Sequence, residues 1–154
     1  MGKKGTSTDI TFYNLKKDQV TITFIEPSKY PERLAPLFFA ISSARKVLLV
    51  PAEFNSQFGE EVVALDSFGK REGYLVIGET LPREKILAAV KGTAVEGYEV
   101  VKDDRNSLRE RLLADAVDAG AHQNGVSPGV VVIDHAFNVK GVGTVALGFV
   151  ASGQ

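Results

Sequence analysis

The sequence predicts an α/β fold, a doubly wound sheet with helices on both faces, followed by a separate antiparallel hairpin. Two short unbroken apolar runs, Lys46 to Val50 and Tyr74 to Ile77, mark strands buried on both faces of a parallel sheet. Between and after them apolar residues recur at helical spacing, and strands alternating with helices imply crossover connections. The third observation is Gly129 to Gly153, GVVVIDHAFNVKGVGTVALGFVASG, two apolar runs either side of a glycine-rich corner.

Lys3 to Asn14 opens with a basic pair and hydroxyls and becomes a strand from about Asp9. Leu15 to Gln19 reads as a charged turn, and Val20 to Ile25 as the returning strand of a hairpin. Ser28 is placed to cap a helix with Pro31 and Glu32 in its first turn, burying Leu34, Leu37, Phe38 and Ile41. Phe58, Val62, Leu65 and Phe68 predict a second helix, stopped at Gly69. Thr80 reads as the cap of a third helix, with Glu84 in its first turn and Ile86, Leu87 and Val90 facing the sheet. A short strand follows around Gly97 to Val101. Leu108, Leu112, Leu113 and Val117 then make a last helix, capped by Asn106. Ala119 to Pro128 is small-residue rich and unpatterned, which makes it the domain boundary. The expected division is 1–120 as the α/β domain, 121–128 as linker, and 129–154 as the start of a second domain.

Composition narrows the function classes. The chain has 154 residues, with 44% apolar and 24% charged residues and a net charge of −1. That is the composition of one soluble globular domain with a real core, and it argues against a strongly basic nucleic-acid module. There is no cysteine, which rules out disulfides, thiolate metal sites and cysteine nucleophiles. The two histidines, His122 and His135, are poorly placed for a metal, and none is expected. No run approaches the roughly 18 apolar residues of a membrane span, so the protein reads as soluble and cytoplasmic, without membrane contact.

Within the hairpin, Asp134, Phe137, Lys140, Gly141, Gly143, Thr144, Gly148 and Gly153 fill, in order, the pattern Asp-x-x-Phe-x-x-Lys-Gly-x-Gly-Thr-x-x-x-Gly-x-x-x-x-Gly. This resembles the opening of the second domain, a β-barrel, in elongation factor Tu-like translation factors, most of all the archaeal branch similar to the selenocysteine-specific factor SelB. Lys3–Thr6 through Tyr13–Asn14 is similar to the pyrrolysine-associated members of that branch. The resemblance implies that the α/β part is G-domain-like, that GTP and magnesium are the family's ligands, and that tRNA or the ribosome is its partner.

Against that implication stand the residues themselves. No G-x-x-x-x-G-K-[ST] occurs, so the loop whose amides and lysine cradle phosphates is missing from these residues. The chain is expected to begin after it, near the family's first switch segment, where Ser7 stands at the magnesium-contacting threonine. On the family's Asp-x-x-Gly-His motif fall Glu26, Lys29 and Tyr30: a carboxylate survives, but a Cβ replaces the glycine, and a mostly neutral phenol replaces the histidine. At the guanine-reading Asn-Lys-x-Asp stand Gly78, Glu79 and Leu81, with an apolar group in place of the discriminating aspartate. The Ser-Ala-Lys element has no counterpart at Val101 to Asp104. These substitutions predict a GTPase-like scaffold that is not an enzyme and holds no cofactor.

Other pairs read as surface. Glu60 and Glu61 point about 100° apart on a helix. Lys16–Lys17 suits a hairpin tip, His135 beside Asp134 faces the opposite side of a strand, and Arg105, Arg109 and Arg111 are expected in solvent. After Asp134 only about twenty residues remain, too few to close a barrel, so the sequence is expected to be a fragment with open edges that could pair with a second copy. The leading expectation is therefore a translation elongation factor-like binding module for tRNA or ribosome. A small-molecule enzyme with its site near Glu26, Pro51 and Gly78 is one alternative, and a protein-interaction domain is another.

Overall fold

The computed structural model describes residues 5–6, 9–121 and 129–152. The backbone divides into two compact units, residues 1–29 with 112–154 and residues 30–111. Of the first unit's parts, β1 (Gly5–Thr6), β2 (Thr11–Lys17) and β3 (Val20–Glu26) form an antiparallel sheet in that order. The β2–β3 register pairs Lys17 with Val20, leaving a two-residue turn at Asp18–Gln19. Asp18 enters the left-handed region with φ 53°, which a short polar side chain tolerates. The turn is thus shorter than the expected Leu15–Gln19, because Leu15 and both lysines stay in the ladder.

The second unit holds α1 (Leu34–Ser43), β4 (Val47–Leu49), α2 (Ser56–Ser67), β5 (Gly73–Ile77), α3 (Arg83–Val90), a 3-10 turn at Ala94–Gly97, β6 (Glu99–Lys102) and the start of α4 (Arg105–Ala121). Its sheet is parallel in the order β4-β5-β6, with each strand joined to the next through helix. Leu75 and Ile77 join Leu37, Ile41, Phe58, Val62, Ile86 and others in one core cluster. Their strand neighbours Tyr74 and Val76 point the other way and are also buried, so β5 is covered on both faces as its apolar run predicts. The α/β class expected from the sequence is the one present.

Helix starts depart from the expectations. Ser28 does not cap α1; its hydroxyl meets the Thr11 hydroxyl, and the helix begins at Leu34 with Arg33 before it. Pro36 explains this, since a proline is tolerated only in the first turn, where its missing N–H leaves no bond unmade. Starting there, α1 buries Leu37 and Ile41 but leaves Leu34 and Phe38 48% and 41% exposed. Asn55 caps α2, accepting from the Phe58 N–H at 3.1 Å, and Gly69 ends it with φ 64° as expected. Phe58, Val62 and Leu65 are buried, whereas Phe68 is the half-exposed cap. Pro82, not Thr80, precedes α3, and the Asp104 carboxylate, not Asn106, accepts from the first turn of α4. Val117 is exposed, and Arg111 is paired with Glu99.

The antiparallel ribbon is β7 (Val130–Val139) with β8 (Gly143–Ser152). The first strand runs past its expected end at Asp134, which the ladder accommodates as an unpaired extra residue between Ile133 and His135. Opposite that bulge, a Cβ on Gly148 would overlap the Val132 carbonyl oxygen, so the glycine of the motif is a steric requirement. Lys140, Gly141 and Val142 make the reversal, closed by Val142 N–H to the Val139 carbonyl at 3.1 Å. Of the linker expected at 121–128, Ala121 is the last residue of α4 and the remainder lies outside the described residues.

Gly73 faces a similar constraint at the start of β5: a Cβ would stand 2.6 Å from the Val47 carbonyl oxygen and against the Tyr98 ring. At Gly78, by contrast, nothing lies within 4 Å of such a carbon. Gly73→Ala is therefore expected to cost roughly 2–4 kcal/mol and Gly78→Ala less than about 1 kcal/mol. Urea unfolding of the two variants measures the difference, and equal midpoints would refute this account of the strand packing.

Candidate functional site

The sequence positions matched to nucleotide contacts fall on three short turns. Ser7 lies outside the described residues, as do His122 and Gly153. Glu26 ends β3, directly opposite Thr11 and diagonal to Tyr13 on the same face. Its carboxylate accepts from the Tyr13 phenol, and that bond raises the Tyr13 pKa above its ordinary value. Lys29, two turns of chain later, is exposed and donates its backbone N–H to the Asp9 carbonyl at 3.3 Å.

Tyr30 packs its ring on the core cluster of the second unit and sends its hydroxyl to α2. There it donates to the Gln57 carbonyl at 3.2 Å, with Glu60 Oε2 at 3.4 Å. Burial, then the charges of Glu61 and Glu60, push its pKa up to about 12, so it is a hydrogen-bond donor at neutral pH and not a base. Glu60 and Glu61 were expected to be plain solvated surface. Glu61 is instead half-buried, accepts from the Gln57 amide at 3.3 Å, and has its pKa raised chiefly by burial. Sequence spacing could not show this, because the partner Tyr30 comes from 30 residues upstream of Glu60.

Gly78, Glu79 and Leu81 follow β5 in a tight turn closed by Leu81 N–H to the Gly78 carbonyl at 3.1 Å. Glu79 is exposed. Leu81 turns inward and packs on the core, so the position that would read guanine offers no hydrogen-bond acceptor. The residues present do not fit a guanine nucleotide with magnesium: a leucine holds the base-reading position, and the Glu26 carboxylate is engaged by a phenol. Among the described residues no group of three or more His, Asp or Glu could hold a metal ion, and no helix is long and apolar enough to cross a membrane.

The second motif is better defined. Phe137, Lys140, Gly141, Gly143 and Thr144 sit around the β7–β8 reversal, and the Thr144 hydroxyl donates to Asn138 Oδ1 at 2.8 Å. Asp134 and Gly148 face one another across the bulge. Val131, Ile133, Phe137 and Val142 leave much of the ribbon's apolar surface exposed. In the second unit, the larger concavity described is a groove of about 520 Å³ between α1 and α2, bordered by Leu34, Phe38, Gly59, Val63 and Phe68. It lies away from Pro51 and Gly78, where the small-molecule alternative requires its pocket.

This arrangement of helix-linked parallel sheet and trailing glycine-cornered ribbon defines the fold of a SelB-like translation factor. The structure is similar to the bacterial selenocysteine-specific elongation factor EF-Sec, with a TM-score of 0.66 and 21% identity, over 96% of this chain and 28% of that one. It is also similar to the translation elongation factor SelB from Methanococcus maripaludis, solved in complex with the GTP analogue GppNHp, with a TM-score of 0.58 and 20% identity, over 96% of this chain and 36% of that one. In sequence it is 36% identical over 153 residues to "Uncharacterized protein MJ0325" of Methanocaldococcus jannaschii, a match covering 99% of this chain and 48% of that protein. The chain thus spans about half the length of the curated relative it matches. No protein-family model matches it.

The raised pKa of Glu61 has a stability consequence of definite sign. Folding favours its neutral form, so the contribution is full below the unfolded pKa and is lost as pH rises through the folded value. Glu61→Gln should raise the denaturation midpoint at pH 7 and leave it nearly unchanged at pH 4. An unchanged midpoint at pH 7 would contradict the burial of this carboxylate.

Proposed function

We propose that the chain belongs to a translation elongation factor of SelB-like kind in which the nucleotide scaffold serves binding to tRNA or the ribosome and not GTP hydrolysis. The observation that carries this reading is the likeness to SelB-type factors over 96% of the chain, which takes in the eight-position motif of the ribbon as well as the α/β part. Loss of hydrolysis is supported by the chemistry of three positions. Leu81 cannot accept the guanine N–H groups, Tyr30 is held as a donor on α2, and Lys29 puts a side chain where close backbone approach to phosphate is needed. The stretch from Lys3 to Asn14 supports placing it beside the pyrrolysine-associated members. The strand edges of β7 and β8, paired only with each other among the described residues, suit further strands or a second copy.

The test is titration of the chain with fluorescent GTP and magnesium, alongside a binding assay with aminoacylated and uncharged tRNA. The expected outcome is no saturable nucleotide signal and retained tRNA binding that weakens as salt rises. Micromolar nucleotide affinity would overturn the loss of nucleotide chemistry. Absence of tRNA and ribosome binding would overturn the partner.

A further inference from the structure

Between Glu26 at the end of β3 and Leu34 at the start of α1 runs a stretch, 27–33, with no helix or strand of its own and mostly exposed side chains. Such a stretch ordinarily opens at little cost. Here three successive residues are tied to regular elements, each within its own compact unit. The Ser28 hydroxyl meets the hydroxyl of Thr11, a buried residue of β2. Lys29 donates its backbone N–H to the Asp9 carbonyl just before β2. Tyr30 packs its ring on the core and donates its hydroxyl to the Gln57 carbonyl in the first turn of α2, with Glu60 beside it.

Gln57 is well placed to accept. Its carbonyl sits near the start of a helix, where one lone pair serves the helix ladder and another remains open to a side-chain donor. The Tyr30 phenol is the one group of the stretch that reaches this helix with both an apolar ring to bury and a proton to give.

We propose that Tyr30 is a positioning residue whose hydroxyl holds the 27–33 stretch shut against helix α2, making it a fixed strap whose conformation is set by the protein and not by a ligand. The proposal rests on the preceding functional reading only in its indifference to nucleotide. The hydroxyl stays protonated through the physiological range, since burial and the flanking carboxylates of Glu60 and Glu61 raise its pKa to about 12. The pin is therefore permanent near neutral pH. Removal of the hydroxyl leaves the ring in its packing and takes away only the tie.

Hydrogen exchange by mass spectrometry on the whole chain decides it. In the wild type, amides of Lys29, Tyr30, Glu32 and Arg33 should exchange more slowly than those of the free turn at Asp18–Gln19. Tyr30→Phe should speed exchange in 30–33 about fivefold, the shift in local opening expected from one lost hydrogen bond, and leave β5 and β6 unchanged. Ser28→Ala should loosen 28–29 in the same manner without touching the Tyr30 tie. Unprotected amides at 29–33 in the wild type would overturn the proposal whether or not Tyr30→Phe folds, and so would an unchanged rate in a folded Tyr30→Phe. Addition of a GTP analogue with magnesium should leave the rates at 27–33 as they were. A rate change there sinks the fixed strap, whereas nucleotide binding with unchanged rates sinks only the non-nucleotide reading of the previous subsection.

Discussion

Four consecutive side chains of β5, Tyr74 to Ile77, are withdrawn from solvent, and neighbours on a strand point to opposite faces. A strand in that condition has to be covered twice, and the second unit is arranged around meeting this demand. On one face Leu75 and Ile77 receive Leu37 and Ile41 of α1, Phe58, Val62 and Leu65 of α2, and Ile86 and Val90 of α3. Burying a side chain of this size contributes on the order of 1.5–3 kcal/mol each before conformational entropy is subtracted. The 3-10 turn after α3 is drawn into the same core by Val95 and by an Asp66 carboxylate that accepts the Ala94 N–H at 2.7 Å. Everything attached to the carboxyl end of β5, Gly78, Glu79 and Leu81 included, inherits its position from that packing.

Periodicity made this core legible in advance because it reports burial directly. Phe58, Val62, Leu65, Ile86 and Val90 were all readable from spacing alone, and each is buried. The errors cluster at helix starts, where a hydroxyl offers a local cap but a distant partner competes for it. Ser28 had a plausible helix ahead of it and chose Thr11 instead. Pro36 was the decisive signal there, since a helix begun at Ser28 would have carried a proline in its interior. Leu34 and Phe38 were misjudged for a different reason: they have the right spacing for a buried face, but α1 turns them toward the open groove it shares with α2.

The candidate site was legible as chemistry and hidden as geometry. Which groups a position had lost could be read from the letters, as with the leucine at 81. What the replacement residues do instead could not, because it depends on contacts far apart in sequence. Tyr30 looked like a failed histidine; in the fold it is a donor bound to a helix carbonyl 27 residues on. Glu61 looked like solvated surface and is a half-buried carboxylate. In the ribbon the reverse holds, since the bulge at Asp134 gives the glycine at 148 a reason that no string of letters supplies.

The glycine that opens β5 shows how such constraints fix a lineage. Position 73 is blocked twice, by the ring of Tyr98, whose hydroxyl is anchored on the Lys70 carbonyl at 2.9 Å, and by the main-chain oxygen of Val47 in the adjoining strand. Trimming the ring would clear only the first obstacle; the second belongs to the ladder itself and moves only if the sheet does. No compensating change at one other position can admit a larger residue, so drift has no gradual route away from glycine there. In any descendant that keeps this strand pairing, that letter should persist after the residues around it have been replaced.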